Sequence, residues 1–290
     1  MFLVCNQMDM QSPARKRKSL QIPTAPKHHR FIGRTPVTKI ICGNRNLLDR
    51  SWEYLTHTQT SVVSISGGIV LKKSLRPANE AKVQSISQLY SLRQDLACPS
   101  SLILPLCAVL QEGLMQVTYT YGGDNLRHQL GKMEPEHCVK MMLDVLSALS
   151  FLHINQLVHR DIHPGNITSH DNNHFNLIDC DEIKNVERGR WDDKTCNVNV
   201  DNVLVSIVDP EMFDSGFTFY DDVYMICKMG TLMINSTHSS SHVSIQEMIS
   251  SILLIARSSS CPADIALPKV LECLQTMQRK NQQLQNQRLS

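Results

Sequence analysis

The feature that most constrains this chain is residues 157–183, LVHRDIHPGNITSHDNNHFNLIDCDEI, which place two acids and an amide in one short stretch. Asp161 and Asn166 lie five residues apart around a Pro-Gly turn, and Asp179 ends the apolar run 175–178. The turn-forming residues between them predict a hairpin that brings the three side chains together. Hard oxygen ligands of this kind suit Mg²⁺ on a nucleotide. The pattern predicts a magnesium and phosphate site, although either acidic motif alone also fits surface charge.

Composition sets broad limits on the chain. Its 290 residues, 42% hydrophobic and 19% charged, are enough to bury a full core in one two-lobed domain or two small ones. A net charge of +2 indicates neither a specific nucleic-acid partner nor a membrane partner. The ten cysteines contain no CxxC pair, so a reducing compartment is expected rather than a zinc site or a disulfide framework. Pro105 interrupts the longest apolar run, 102–110, so no export signal or transmembrane anchor is expected.

The two ends of the chain differ in composition from its middle. Residues 1–50 contain four prolines and no sustained period, which predicts a flexible basic arm. The run Arg15 to Lys18 fits a nuclear import signal, a patch for an acidic partner or a solvated tail, so the expected location is cytoplasmic, nuclear or both. Residues 278–290 are rich in Gln and Asn and predict a polar C-terminal tail, either a helical extension or a frayed end.

The central stretch resembles the catalytic loop and metal-binding loop of the eukaryotic protein kinase superfamily, HRDxxxxN followed by DFG. The resemblance implies that Asp161 accepts or orients the proton of the attacking hydroxyl, and that Asn166 and Asp179 hold Mg²⁺. It also implies structural or regulatory roles for His159 and Arg160. The substrates it implies are ATP and a protein.

The resemblance implies an α+β, two-lobed fold with a small β-rich N-lobe and a larger, mainly helical C-lobe. The expected domain covers 51–277, with the N-lobe at 51–120 and the C-lobe at 124–277. Its reduced form is also similar to kinases encoded by large DNA viruses.

A hairpin is predicted in the N-lobe, because residues 61–66 and 69–72 are rich in β-branched side chains and flank Gly67-Gly68. The resemblance assigns Val63 and Val70 to the adenine pocket and Lys72 to the phosphates. A helix with apolar spacing follows, and its Glu80 is the expected partner of Lys72.

The glycine-rich loop of the family is missing. Thr56, Thr58 and Ser61 stand where the family has glycines, which let the backbone approach phosphate with positive φ. A stiffer and weaker phosphate cover is expected, which favours a pseudokinase or a degraded nucleotide site.

Two further strands are predicted at 102–106 and 114–119, followed by an interlobe hinge at 121–126. The resemblance places backbone groups near Thr118 and Thr120 against adenine. For Asp124, a contact with ribose and an exposed turn carboxylate both remain open. The helix expected to open at Pro135 presents one apolar face and leads into the catalytic loop.

Residues 180–208, closed by Glu211, resemble an activation segment, and Arg257 is the expected partner of Glu211. Residues 221–227 resemble a buried helix of the family, whose Asp222 braces the catalytic loop. A last helix is predicted at 268–277.

Two departures bear on mechanism: His163 replaces the lysine of the Ser/Thr kinase loop, and Cys180-Asp181 replaces Phe-Gly. The expected function is ATP-dependent transfer of the γ-phosphate to a protein hydroxyl, Ser or Thr. HxDxHPGN is also similar to the loop of aminoglycoside and choline kinases, and a pseudokinase scaffold with weak nucleotide binding is the non-enzymatic alternative. Arg160, Glu211 and Asp222 favour the protein kinase.

Overall fold

The computed structural model describes residues 38–58, 60–180, 183–185, 190–191, 217–234, 239–257 and 262–289. The first part is an antiparallel sheet of six strands: β1 (Thr38–Gly43), β2 (Glu53–His57), β3 (Ser61–Ser66), β4 (Ile69–Pro77), β5 (Cys107–Gln111) and β6 (Leu114–Thr120). Their order across the sheet is β1-β5-β6-β4-β3-β2. Helix α1 (Glu80–Leu92) follows β4 and buries Ile86 and Leu89 in the core.

The second part is mainly helical. Its helices are α2 (Pro135–Ile154), α3 (Phe219–Met233), α4 (Ser239–Ala256) and α5 (Pro262–Leu289). Its short strands are β7 (Asp124–Asn125), β8 (Leu157–Val158), β9 (Ile167–Ser169), β10 (Phe175–Leu177), β11 (Lys184–Asn185), β12 (Arg190–Trp191) and β13 (Phe217–Thr218). A β-rich N-terminal part and a helical C-terminal part confirm the predicted two-lobed α+β fold.

The predicted hairpin is present in the N-terminal sheet. Strands β3 and β4 pair in register, with Val63 opposite Lys72 and Ser66 opposite Ile69. Gly67 and Gly68 both have positive φ, as the tight two-residue turn between such strands requires. This register sets which β3 side chains share a face with Lys72.

The described structure begins earlier than the predicted domain boundary at residue 51. Strand β1 starts at Thr38 and pairs antiparallel with β5, with Ile40 opposite Val109. The apolar run 40–42 gives this segment a strand-forming pattern after the last proline of the arm. Residues 38–50 are therefore not part of a flexible arm. The basic run Arg15 to Lys18 lies outside the described residues.

The prediction of a strand at 102–106 is wrong, because β5 begins only at Cys107. Pro105 has no N–H to donate, which disfavours a regular ladder through this segment. The segment instead crosses to the other lobe: Ile103 N–H donates to Leu177 O at 3.0 Å, and Leu177 N–H donates to Ser101 O at 2.8 Å. It thereby anchors the sheet to β10.

Helix α2 lies at the centre of the C-terminal part and packs against α3, α5 and β10. Pro135 occupies its first turn, as predicted, where the missing N–H costs no helical hydrogen bond. The helix is long and apolar enough to cross a membrane by length and composition, but 67% of its apolar window is buried within the fold. That burial is typical of a core helix.

The last helix is longer than predicted. Helix α5 starts at Pro262 instead of residue 268, contains Pro268, and continues to Leu289 through most of the predicted polar tail. The helical-extension alternative therefore describes residues 278–289. The polar composition of this end explains why sequence periodicity gave no signal for it.

We expect Leu149→Ala in α2 to lower the free energy of unfolding by about 2–5 kcal/mol, because it removes methyl groups from a fully buried site and leaves a cavity. Urea denaturation followed by circular dichroism measures the change. Ile154→Ala, at an exposed position of the same helix, is the matched control and should change stability by less than about 0.5 kcal/mol. Equal effects of the two substitutions would contradict the assignment of α2 to the core.

Candidate active site

The catalytic loop is held by one fully buried carboxylate at the start of α3. Asp222 accepts the backbone N–H of His159 at 2.8 Å and of Arg160 at 2.9 Å. The Nε2 of His153, on α2, lies 3.0 Å from Oδ2 of the same carboxylate. Arg160 has φ of 71°, a left-handed conformation that these two N–H bonds fix in place. Asp222 therefore contacts two successive backbone N–H groups of the catalytic loop.

The ring of His159 joins the catalytic loop to the segment that carries Asp179. Its Nδ1 accepts the N–H of Asp161 at 3.3 Å, and its Nε2 lies 3.1 Å from Ile178 O. These contacts require a neutral imidazole with the proton on Nε2. The ring is fully buried, so the loop and the strand end are fixed relative to each other.

Asp161 lies at the centre of the loop, with both carboxylate oxygens contacted. The side chain of Asn166 donates to Oδ2 at 2.7 Å and to the Asp161 carbonyl at 3.0 Å. The Nε2 of His163 lies 3.5 Å from Oδ1, while its Nδ1 accepts the N–H of Gly165 at 2.9 Å. The Asp161 side chain nevertheless keeps 39% of its surface exposed, so a substrate can reach it.

The environment of Asp161 favours its charged form. Burial acts to raise the pKa, but the hydrogen bond from His163, together with smaller contributions from His159 and Asn166, outweighs it, and the pKa lies below its usual value. Asp161 is therefore ionised at neutral pH and can act as a hydrogen-bond acceptor.

Asn166 and Asp179 are brought together by the backbone. Ile178 N–H donates to Asn166 O at 2.9 Å, which places the residue before Asp179 against the catalytic loop. The amide nitrogen of Asn166 is committed to Asp161, so its side-chain oxygen is the remaining ligand atom. Asp179 has φ of 61°, an uncommon conformation for a residue with a side chain.

Lys72 pairs with Asp179, not with Glu80. Its Nζ lies 2.6 Å from Asp179 Oδ1, and both side chains are partly buried. The side chain of Asn79 caps α1 by accepting the N–H of Lys82, so the helix begins at once after β4 and leaves Glu80 exposed in its first turn. Glu80 is the sole acidic residue of α1, and the predicted Lys72–Glu80 pair is wrong because eight residues are too few to turn the helix back over the lysine.

Val63 and Val70 lie on the Lys72 face of the sheet. Val63 is directly opposite Lys72, and Val70 is two residues before it and opposite Tyr119. Side chains on alternate residues of a strand share a face, so both valines line the same surface as the lysine amine. Both are partly buried.

The hinge residues divide into two groups. Thr118 is fully buried, and its carbonyl already accepts Leu106 N–H at 2.8 Å, so it is not available to a ligand. Thr120 is exposed at the end of β6. Asp124 is also exposed and accepts the hydroxyl of Tyr121 at 2.8 Å, a hydrogen bond that raises the pKa of the Tyr121 phenol.

The turn between β2 and β3, where the family has glycines, is held by a threonine. The hydroxyl oxygen of Thr58 accepts the N–H of Thr60 at 3.2 Å and of Ser61 at 3.1 Å, and Thr58 N–H donates to Ser61 O. Thr56 lies within β2, opposite Val63. These hydrogen bonds join residues within the turn to one another.

Other predicted residues lie outside the described part of the chain, including Glu211 and most of the segment 180–208. Arg257 is described, and its guanidinium lies over the Tyr220 ring, 5.9 Å from the centroid. Sequence reasoning missed the contact of His163 with Asp161. Its position two residues after the acid was the available signal, because that is where the family's lysine stands.

Comparison with known proteins agrees with this geometry. Residues 78–202 match the protein kinase domain family. The chain is 30% identical over 113 residues to the serine/threonine-protein kinase greatwall of Xenopus laevis, covering 37% of this chain and 13% of that protein. It is 28% identical over 120 residues to greatwall of Gallus gallus, covering 39% of this chain and 14% of that protein. The alignments thus span only about one seventh of the relatives' length.

The residues matched to the family include the loop from His159 to Asn166 and Asp179. The order of these residues, their convergence in space and the two-lobed fold agree with this match. The family match and the greatwall similarity support membership of the eukaryotic-type protein kinase superfamily.

Proposed function

We propose that this protein is a kinase that transfers the γ-phosphate of ATP to a serine or threonine hydroxyl of a protein. The observation that carries the proposal is the Asp161 carboxylate, which is ionised, partly exposed and held at both oxygens on a loop braced by Asp222. Phosphoryl transfer needs little covalent chemistry from the protein, so a positioned acceptor for the hydroxyl proton is the main requirement.

Asp161 orients the attacking hydroxyl in this proposal. The Asp161 carboxylate has one oxygen hydrogen-bonded to Asn166 and the other 3.5 Å from His163 Nε2, so its orientation is restrained before the reaction begins. Proton transfer to such a group typically contributes about 10²–10⁴-fold to a rate.

Asn166 and Asp179 suit Mg²⁺, because each offers an oxygen and their segments are joined by a backbone hydrogen bond. Among the described residues no cluster of three His, Cys, Asp or Glu forms a metal site by itself, so phosphate oxygens would complete the ligand set. When bound, Mg²⁺ neutralises phosphate charge. Asn166 and Asp179 would hold it, and Lys72 would pair with the phosphates.

The choice of serine or threonine rests on the relatives. Both greatwall proteins are described as serine/threonine-protein kinases. Because the chain covers only a small part of those proteins, their activity and substrates cannot be assigned to this chain from the alignment.

A pseudokinase scaffold is the second candidate, and a specific observation favours it. The Thr58 hydroxyl closes the turn that covers phosphates in active kinases, and Lys72 is bonded to Asp179, the residue proposed to hold the metal. A bound nucleotide would have to open the Thr58 turn and break the ion pair between Lys72 and Asp179. The retained Asp161 and Asn166 favour the active kinase, because a scaffold has no chemical need for them.

We expect Asp161→Asn and Asp179→Asn to fail in different ways. Asp161→Asn should retain Mg²⁺-dependent ATP binding but lose turnover by about 10²–10⁴-fold, since it removes the proton acceptor. Asp179→Asn should lose the Mg²⁺ dependence of ATP binding. Calorimetric ATP titration with and without Mg²⁺ and a phosphate-transfer assay separate the two, with Asp49→Asn, an exposed acid, as the control. Equal loss of ATP binding in both variants would contradict this division of roles.

Replacing Thr58 and Ser61 together by glycine should tighten ATP binding by a few-fold. The change removes the hydroxyl that closes the turn and allows positive φ near the phosphates. A fluorescent-nucleotide displacement titration measures the affinity. Ser66→Gly, at the other end of β3, controls for a general effect of glycine on the strand. Unchanged or weaker affinity in the double variant would mean that this turn does not cover the phosphates.

A further inference from the structure

An arginine side chain fills the space above Gly165 in the catalytic loop. Arg127 lies in the 3-10 helix Leu126–Gln129, which Asn125 caps by accepting the Arg127 N–H at 3.2 Å. A Cβ built on Gly165 would lie 2.6 Å from Arg127 Nε, 2.9 Å from Nη2 and 2.7 Å from His163 Cε1. The absence of a side chain at position 165 is what lets the guanidinium lie against the loop and beside the imidazole.

Among the described residues the guanidinium has no anionic partner. Arg127 is exposed, and within the described part of the chain its side chain forms no ion pair or hydrogen bond. The neighbouring acid Asp124 accepts the hydroxyl of Tyr121. An arginine held at a loop surface with its planar donors uncommitted is suited to bind a carboxylate or phosphate in a bidentate manner.

The location of Arg127 relates it to the reaction. His163 contacts Asp161 through Nε2, and the other edge of the same imidazole faces the Gly165 site that the guanidinium fills. The cation is therefore one imidazole ring away from the carboxylate that receives the acceptor hydroxyl. A polypeptide whose hydroxyl reaches Asp161 must lay neighbouring residues over this surface.

We propose that Arg127 determines substrate specificity by binding an anionic side chain next to the phosphorylated residue. This inference rests on the proposed function, because it presumes a protein acceptor at Asp161. The anion is a carboxylate of Asp or Glu or the phosphate of a previously phosphorylated residue, which share the chemistry that a guanidinium recognises. The same positive charge disfavours cationic acceptors such as aminoglycosides and choline.

The test measures phosphate transfer to positional peptide libraries containing Asp, phosphoserine, Ala or Lys at each place around one Ser or Thr. Wild type should prefer Asp or phosphoserine over Lys at one or two positions by about two- to fivefold, the range of a solvated charge pair. Arg127→Glu should reverse that preference. The readout is the ratio of phosphate transfer to the Asp peptide over transfer to the Lys peptide, measured for each enzyme. A change in overall rate affects both peptides equally and leaves this ratio unchanged.

Two further variants distinguish the placement of the Arg127 guanidinium from a general effect of charge. Gly165→Ala keeps the arginine but inserts a Cβ that displaces its guanidinium. The ratio of phosphate transfer to Asp-containing and Lys-containing peptides should then fall toward one. Arg76→Glu, an exposed arginine at the end of β4, should leave the ratio unchanged. Transfer with the same ratio in wild type and Arg127→Glu would overturn this inference alone. Failure of wild type to phosphorylate any peptide would overturn the proposed function and this inference with it.

Discussion

The catalytic loop of this protein depends on the buried carboxylate of Asp222. A carboxylate without solvent is costly unless its oxygens are satisfied, and here the N–H groups of His159 and Arg160 and the ring of His153 supply three contacts. In return the carboxylate fixes a left-handed backbone at Arg160 that would otherwise be unfavourable. The orientation of Asp161 therefore follows from a contact between α3 and the loop.

A second constraint is an ion pair that joins the two lobes. Lys72 on β4 and Asp179 beyond β10 are 107 residues apart in sequence and 2.6 Å apart in space. With Glu80 exposed, Asp179 supplies the carboxylate that contacts the lysine amine. The same acid is proposed to hold the metal, so Lys72 and the metal would compete for the Asp179 oxygens, and phosphate would compete with Asp179 for the lysine amine. This coupling distinguishes the site from one in which a helix glutamate holds the lysine.

Local patterns predicted much of this structure. The Pro-Gly turn placed Asn166 against Asp161, and Gly67-Gly68 gave the hairpin that orients Lys72, because these contacts span few residues. Contacts that depend on how elements dock were not predictable in the same way. The partner of Lys72 depends on where α1 starts. The packing of Arg127 over Gly165 depends on the approach of the 3-10 helices Leu126–Gln129 and Pro164–Asn166, which carry no periodic signal.

The most direct test of the account is whether the purified chain moves phosphate from ATP to a protein hydroxyl. Incubation with Mg²⁺, labelled ATP and a peptide mixture containing Ser, Thr and Tyr, followed by mass spectrometry, identifies the phosphorylated residue. The account predicts Mg²⁺-dependent phosphate on Ser or Thr. Nucleotide binding without transfer to any peptide, or transfer only to an aminoglycoside or choline, would contradict the assignment of Asp161 as the group that receives a protein hydroxyl.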